Sequence, residues 1–253
     1  KKADFVYHLA GVNRTDNEQE FMDVNFGFTL ELLDFLSKYN NKCPIMLSSS
    51  IQATYNNSYG KSKKAAEELV ISYSNIGNTN VFIYRLPNVF GKWCKPDYNS
   101  VVATFCHNIA RNIPIKIDDP EKVINLVYID DVINELVGLL HYSSENKIYY
   151  EINPIYRVSL KELSQLLYSF YECNYNGYIP ELTDDFTKKL YSTYLTYIPE
   201  DSICFKLKMN CDDRGSFTEF IKTRKHGQIS VNVLKPGIIK GNHYHNTKTE
   251  KFL

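Results

Sequence analysis

Short apolar runs alternate with segments of helical periodicity in the first part of the chain. Apolar runs of strand length occur at residues 5–11, 45–47 and 81–86. Residues 21–39 repeat apolar positions with the period of a helix lying on a sheet, at Phe21, Val24, Phe28, Leu32, Phe35 and Leu36. A second helix is predicted from Ser62 to about Ser74. This alternation predicts an α/β fold with a doubly wound, Rossmann-like parallel sheet.

Helix-start signals continue the pattern between residues 99 and 199. The predicted elements are a helix over 99–111, a strand over 125–129, a helix over 132–140 and a helix that begins at Leu160. Asp130 and Asp131 precede one of these helices, and we interpret them as helix caps rather than as a carboxylate pair for acid–base chemistry. Ser159 and Glu162 have the spacing of a capping box, which predicts the start of the last helix.

After Pro199 the pattern changes to the alternation that is typical of strands. Strands are predicted over 216–221, 228–234 and 241–245, with a turn over 212–215. We therefore expect two domains, a mainly α/β domain of residues 1–202 and a β domain of residues 203–253.

Composition narrows the class of protein without naming its chemistry. The 253 residues are 43% apolar and 23% charged, enough for one or two domains with buried cores. The 29 basic and 29 acidic residues cancel, so no bulk field favours nucleic acid or an anionic membrane. No apolar run reaches the roughly 18 residues of a membrane span and no signal peptide is recognised, so a cytoplasmic location is expected. The six cysteines lack Cys-x-x-Cys spacing, which favours reduced thiols.

A serine run and a Tyr-x-x-x-Lys segment indicate redox chemistry at a carbonyl. Tyr59 and Lys63 are one helical turn apart and face the same side, and Ser50 ends the apolar strand before them. A lysine ammonium beside a phenol is expected to lower the phenol's pKa, so that Tyr59 can exchange a proton with a carbinol oxygen. The Ser50 hydroxyl would stabilise charge that develops on the same oxygen. Tyr-x-x-x-Lys alone is a weak signal, and the preceding strand and serines give it weight.

The phosphate-binding turn of a dinucleotide fold is not recognised in the sequence. Such folds open on a strand and a Gly-x-Gly-x-x-Gly turn, and the following helix receives the pyrophosphate at its N-terminus. We therefore expect the parallel sheet to lack its first strands and the chain to be truncated at both ends.

A second constellation lies near residue 250. The spacing Gly237-x5-His243-x-His245-x4-Glu250 places two imidazoles on one face of a strand, and a carboxylate from an adjoining strand can complete three sides of a divalent-metal site. This spacing resembles the first motif of a cupin. The β domain is therefore expected to be the start of an all-β cupin (jelly-roll) barrel.

Several segments of the chain resemble landmarks of one enzyme family. They are residues 4–11, 48–50, 59–63, 85–91 and 127–132. Together they resemble an extended short-chain dehydrogenase/reductase that acts on a nucleotide sugar. The join to a sugar-type cupin opening at residues 214–219, with the segment 90–96, resembles the bifunctional reductase/epimerases of capsular polysaccharide synthesis.

That resemblance implies an activity and a set of residue roles. In this family the cupin epimerises a UDP-linked 4-keto sugar, and the reductase domain reduces the ketone with NADPH, NADH being left open, to give a UDP-2-acetamido-2,6-dideoxy-hexose for capsule or O-antigen. By resemblance, Tyr59 is the proton donor, Lys63 holds the nicotinamide ribose, and Ser50, or less directly Ser49, orients the carbonyl. The remaining implied roles are cofactor lining by Leu9, Ala10, Gly11 and Pro87, sugar-nucleotide contact by Asn88, and Zn2+ binding by His243, His245 and Glu250. A homodimer is implied because cupins commonly pair.

Two alternative functions stay open from sequence. The first is a nucleotide-sugar epimerase or dehydratase in which the cupin is a passive module. The second is a catalytically inactive fragment that folds without turning over substrate.

Overall fold

The computed structural model describes residues 2–141, 147–204, 206–239, 241 and 244–252. The chain forms two compact units, one of residues 1–171 and 182–199 and the other of residues 172–181 and 200–253. No helix in the described ranges is both long enough and apolar enough to cross a bilayer. All six cysteines are free thiols.

The secondary structure follows the chain in the following order. The elements are β1 (Val6–His8), α1 (Glu18–Phe21), α2 (Phe28–Lys38), β2 (Ile45–Ser50), α3 (Ser58–Gly77), β3 (Val81–Leu86), β4 (Asn88–Phe90), α4 (Val101–Ala110), β5 (Val123–Tyr128), α5 (Ile129–Gly138), β6 (Tyr149–Tyr150), β7 (Tyr156–Ser159), α6 (Leu160–Asn176), α7 (Asp185–Leu195), β8 (Met209–Asp212), β9 (Gly215–Lys222) and β10 (Gln228–Leu234).

A parallel sheet of order β1-β2-β3-β6 forms the centre of the first unit. Successive strand residues point to opposite faces. On one face Ile45, Leu47 and Ile83 pack with α2 and α3, and on the other Met46 and Phe82 pack with α5. Burial on both faces explains why these strands are continuous apolar runs. The predicted doubly wound, Rossmann-like fold class is confirmed.

A second, smaller sheet of order β4-β5-β7 lies in the same unit, with β4 parallel and β7 antiparallel to β5. Its strands pack against α4, α6 and α7 through a buried cluster that includes Phe90, Leu126, Val158, Cys106, Leu163 and Tyr194. The sequence analysis assigned neither β4 nor α7. β4, with 3 residues, is too short for a clear period, whereas α7 begins after a local cap, Asp184, which the sequence analysis overlooked.

The helix predicted over 21–39 departs from regular α geometry. It begins at Glu18 after the cap Asn17, and a π-helical stretch, Met22–Gly27, separates α1 from α2. Inserted π turns are rare and are frequent at functional sites. Hydrophobic periodicity does not distinguish this turn from α-helix, so the π stretch was not predicted.

Two predicted helix starts have different outcomes. The capping box is confirmed, because the Ser159 amide donates to Glu162 Oε2 at 2.9 Å and the Glu162 amide donates to Ser159 Oγ at 3.1 Å. The assignment of Asp130 and Asp131 as caps is wrong, because α5 begins at Ile129 and both residues lie in its first turn. Their charges favour the helix N-terminus there, and Asp131 also pairs with Lys189 at 2.8 Å.

The second unit contains an antiparallel sheet of order β10-β9-β8. The strands predicted over 216–221 and 228–234 are present as β9 and β10. The segment 172–181 adds a parallel bridge between Tyr178 and Lys222. The strand predicted over 241–245 lies partly outside the described residues, and those described there, Gly241, Tyr244 and His245, belong to no strand.

Candidate active site

The serine, tyrosine and lysine singled out from sequence meet at the carboxyl end of β2. β2 ends at Ser50, a 3₁₀ turn follows over Ile51–Thr54, and α3 begins after Asn57, whose side chain accepts from the Gly60 amide at 2.7 Å. A Cβ at Gly60 would lie 2.2 Å from the carbonyl oxygen of Gln52. Glycine therefore lets the first turn of α3 lie directly on the 3₁₀ turn, which brings the helix start back toward Ser50.

Tyr59 is half-buried at this junction. Its side chain is hydrogen-bonded to Ser50, and its ring makes an edge contact with Phe21 at 5.6 Å between centroids. Burial raises the pKa of Tyr59, and the Ser50 hydrogen bond opposes that rise. The phenol therefore keeps its proton at neutral pH.

Lys63 lies one turn further along α3 and is only 8% exposed. Its Nζ donates to the Ser48 carbonyl oxygen at 3.1 Å and lies 5.9 Å from the centroid of the Tyr59 ring. Burial lowers the pKa of Lys63, and the Glu67 carboxylate opposes that shift. The expected lowering of the Tyr59 pKa by Lys63 is not found in this structure, where burial raises that pKa and the Ser50 hydrogen bond is the opposing effect.

The segment after β1 approaches Lys63 closely. A Cβ at Gly11 would lie 2.7 Å from Asn25 Oδ1 and 3.0 Å from Lys63 Nζ, so only glycine fits without a shift. Leu9 and Ala10, which precede it, are exposed. A close backbone approach to a buried ammonium is compatible with a dinucleotide that binds by its nicotinamide end.

Asn25 was missed by the sequence reasoning. It lies in the π stretch and is buried, and its amide accepts from the Val12 amide and donates to the Val12 carbonyl oxygen, both at 2.9 Å. Nδ2 also donates to Ser62 Oγ at 3.0 Å. Asn25 thus fixes the loop after Gly11 to α3. The only available signal was a polar residue within the predicted helix 21–39.

A buried carboxylate network was also missed. Glu67 is 1% exposed, and Arg85 donates to it through Nε at 3.0 Å and through Nη2 at 2.6 Å. Ser49 Oγ and the Tyr149 hydroxyl donate to the same carboxylate. The network joins β2, α3, β3 and β6 directly behind Ser50 and Lys63. Its members are dispersed in sequence, so no spacing motif revealed it.

Pro87 and Asn88 follow the strand that neighbours β2. Leu86 is the register partner of Ser50, so Pro87 begins the next segment at the same edge of the sheet. Asn88 is exposed, and its Nδ2 donates to the Asn125 carbonyl oxygen at 3.1 Å. The crevice beyond the carboxyl ends of parallel strands is the usual ligand site of such folds.

The predicted metal ligands are described only in part. His243 lies outside the described residues. His245 Nε2 is 3.4 Å from Glu250 Oε1, and Lys248 Nζ is 2.7 Å from the same oxygen. Among the described residues no group of three metal-binding side chains is found.

Two family models match different parts of the chain. Residues 1–153 match the model of the NAD dependent epimerase/dehydratase family, more than half of the chain. The chain belongs to the NAD-dependent epimerase/dehydratase family. Residues 210–253 match the polysaccharide biosynthesis C-terminal domain. Membership in the epimerase/dehydratase family identifies the chain as part of an NAD(P)-dependent enzyme, and the close fit of Gly11 beside Lys63 agrees with such a cofactor.

Individual relatives extend this finding. A UDP-2-acetamido-2,6-beta-L-arabino-hexul-4-ose reductase of Pseudomonas aeruginosa is 44% identical over the whole chain, which spans 68% of that relative. The crystal structure of the capsular polysaccharide assembling protein CapF from Staphylococcus aureus matches with a TM-score of 0.84 and 47% identity, over 97% of this chain and 67% of that one. A Thermotoga maritima UDP-glucose 4-epimerase, 20% identical with a TM-score of 0.65 over 77% of each chain, shares the fold. The resemblance drawn from sequence is confirmed.

Proposed function

We propose that the chain belongs to a bifunctional nucleotide-sugar reductase/epimerase of capsular polysaccharide or O-antigen precursor synthesis. Residues 1–202 would reduce the 4-keto group of a UDP-2-acetamido-2,6-dideoxy-hexose with NADPH, and residues 203–253 would be the start of a cupin domain that epimerises the keto sugar first. The observation that carries the reductase is the junction of Ser50, Tyr59 and Lys63. The 44% identical hexulose reductase supports the substrate class.

The three side chains have separate roles in reduction of the carbonyl group. NADPH, when bound, supplies the hydride. Tyr59, kept protonated by burial, donates its proton to the carbonyl oxygen as that oxygen gains negative charge. The Ser50 hydroxyl, already bonded to Tyr59, donates to the same oxygen and stabilises the developing charge. Lys63 would hold the ribose next to the nicotinamide, and its ammonium would stabilise the Tyr59 phenolate that proton transfer leaves.

Binding roles follow from position in the crevice. Leu9, Ala10 and Gly11 would line the cofactor by backbone, and Pro87 would border the nicotinamide. Asn88, exposed at the start of β4, would contact the nucleotide sugar. The cofactor and UDP-sugar are the reason for placing the enzyme in the cytoplasm, where both are made.

The C-terminal proposal concerns a metal. His243, His245 and Glu250 would bind Zn2+. The distance of 3.4 Å between His245 Nε2 and Glu250 Oε1 supports binding of one metal ion by both side chains. We propose a homodimer as the working assembly. Elemental analysis of zinc content tests this metal site. His245→Ala is compared with the matched surface change His226→Ala. Equal zinc in the two variants would contradict it.

The reductase is tested in the natural gene product that carries this sequence. NADPH oxidation is followed at the nicotinamide absorbance with a UDP-linked 4-keto sugar. Tyr59→Phe removes the proton donor and is expected to lower kcat by at least about 100-fold. Tyr55→Phe, a change at an exposed tyrosine before α3, is the matched control and should leave the rate unchanged. Equal rates in both variants would contradict the role of Tyr59, and bound NADPH without turnover would favour an inactive remnant.

A further inference from the structure

The loop between β4 and α4 holds the chain's only tryptophan in an unusual position. Trp93 is 82% exposed, and its φ of 60° lies in the left-handed region that bulky residues rarely occupy. The exposed indole and the strained backbone each cost free energy. Neither contributes to the described core, so a role outside packing would explain both.

The loop is held in place on either side of the indole. The Tyr197 hydroxyl donates to the Cys94 carbonyl oxygen at 2.5 Å, and the Trp93 amide donates to Thr196 Oγ1 at 3.5 Å. Both partners follow α7. The backbone is therefore anchored while the ring extends outward, as expected of a preorganised binding surface.

Contacts place the loop beside the candidate active site. The Arg14 guanidinium donates to the Tyr98 carbonyl oxygen. Arg14 belongs to the same segment as Gly11, which borders Lys63 Nζ. The loop begins where β4 ends, and β4 is separated from the carboxyl end of β3 by Pro87 alone.

The charged residues of the loop favour the binding of an anion. Lys92 and Lys95 flank Trp93, and Asp97 is the loop's one carboxylate. Lys95 Nζ lies 5.6 Å from the centroid of the Tyr98 ring. An exposed indole in a segment that carries two lysines suits a nucleobase followed by phosphates.

We propose that residues 92–98 bind the nucleoside diphosphate of the substrate, with the base stacked on Trp93 and the diphosphate held by Lys92 and Lys95. This inference rests on the proposed function, since it takes the ligand to be a nucleotide sugar. Stacking accepts any base, so the loop supplies affinity for the nucleotide, and the keto sugar is recognised by the Tyr59 region. The lysine contacts make binding dependent on salt.

Trp93 is the only tryptophan of these 253 residues, and the part of the emission that is lost in Trp93→Phe reports this loop. Titration of the natural gene product with UDP should quench the emission to a saturating value. Uridine should bind about tenfold more weakly, because the ammonium–phosphate contacts are missing. In calorimetry, Trp93→Leu should weaken UDP binding about tenfold, whereas Trp93→Phe retains an aromatic face and most of the affinity.

Charge variants test the diphosphate site separately. Lys92→Gln with Lys95→Gln should weaken UDP binding about tenfold and reduce its salt dependence, while leaving uridine binding unchanged. Lys116→Gln, at a lysine that is 88% exposed, is the matched control. UDP binding without change in Trp93 emission, or equal UDP affinity in wild type and Trp93→Leu, would overturn the proposal.

NADPH binding separates this inference from the proposed function. Enhanced nicotinamide fluorescence on binding, lost in Lys63→Ala, reports the cofactor site alone. NADPH binding and turnover with no effect of Trp93→Leu on UDP affinity would leave the reductase standing and refute the loop. Saturable quenching by UDP without NADPH binding would support the loop and refute the reductase.

Discussion

Glu67→Gln is the substitution that tests the buried network most directly. Gln has nearly the same volume, so the change removes one charge and little packing. Glu67 is 1% exposed and accepts from Arg85, Ser49 and Tyr149. In glutamine an NH2 group replaces one of the two carboxylate oxygens. This group can only donate, so the donors that faced that oxygen lose their acceptor.

The expected loss of stability can be estimated from burial. Removing one partner of a buried ion pair costs about 3–5 kcal/mol. Because the Arg85 side chain is 33% exposed, water can partly hydrate it once its partner is removed. We therefore expect a loss of stability at the lower end of this range, about 3 kcal/mol. Urea unfolding followed by circular dichroism measures this as a lower midpoint at constant slope. The matched control is Glu68→Gln at the next, exposed residue of α3, which should change stability by less than about 0.5 kcal/mol.

The same substitution has a consequence for the site. The Glu67 carboxylate raises the pKa of Lys63 against the effect of burial. Without it the Lys63 ammonium loses its proton at lower pH, so the alkaline limb of the kcat/KM profile should move to lower pH. Equal midpoints for Glu67→Gln and Glu68→Gln, with identical pH profiles, would refute the reasoning.

Three further substitutions follow from single contacts. Gly60→Ala should cost more than about 2 kcal/mol in urea unfolding and lower Tyr59-dependent turnover, because the new Cβ would lie 2.2 Å from the Gln52 oxygen; wild-type stability would contradict it. Ser159→Ala should cost about 1 kcal/mol through the lost capping box, and an unchanged midpoint would rule that out. Burial holds the pKa of His8 at about 4, below its unfolded value of about 6.5, so protonation favours the unfolded state and stability should fall as pH drops from about 6.5 to 4. His8→Gln should flatten that part of the curve, and an equally steep curve would exclude His8 as the cause.

The sequence predicted the elements whose own residues carry the signal. The apolar runs of β2 and β3 are buried on both faces, and the Ser159 capping box is a local contact between residues close in sequence. Such features are readable because their energetics are local. β4 was missed because a strand of 3 residues shows too little periodicity, and α7 was missed although its cap Asp184 is a local signal.

The candidate site divides in the same way. The spacing of Tyr59 and Lys63 identified the site because one helical turn fixes their relation. Their pKa values were not readable, because desolvation depends on everything packed around them. Asn25 was hidden for a related reason, since its role depends on an inserted π turn that periodicity does not register.

The face of α3 that carries the chemistry also explains the buried network. Tyr59, Lys63 and Glu67 follow one another at intervals of four, so phenol, ammonium and carboxylate lie along one stripe of the helix. Burial disfavours the charged form of Lys63, and a carboxylate one turn further on offsets that effect. Glu67 is itself buried and is paired with the Arg85 guanidinium at 2.6 Å. The Glu67–Arg85 ion pair between α3 and β3 therefore supports a charged lysine beside a protonated tyrosine. Breaking this ion pair should change stability and reactivity together.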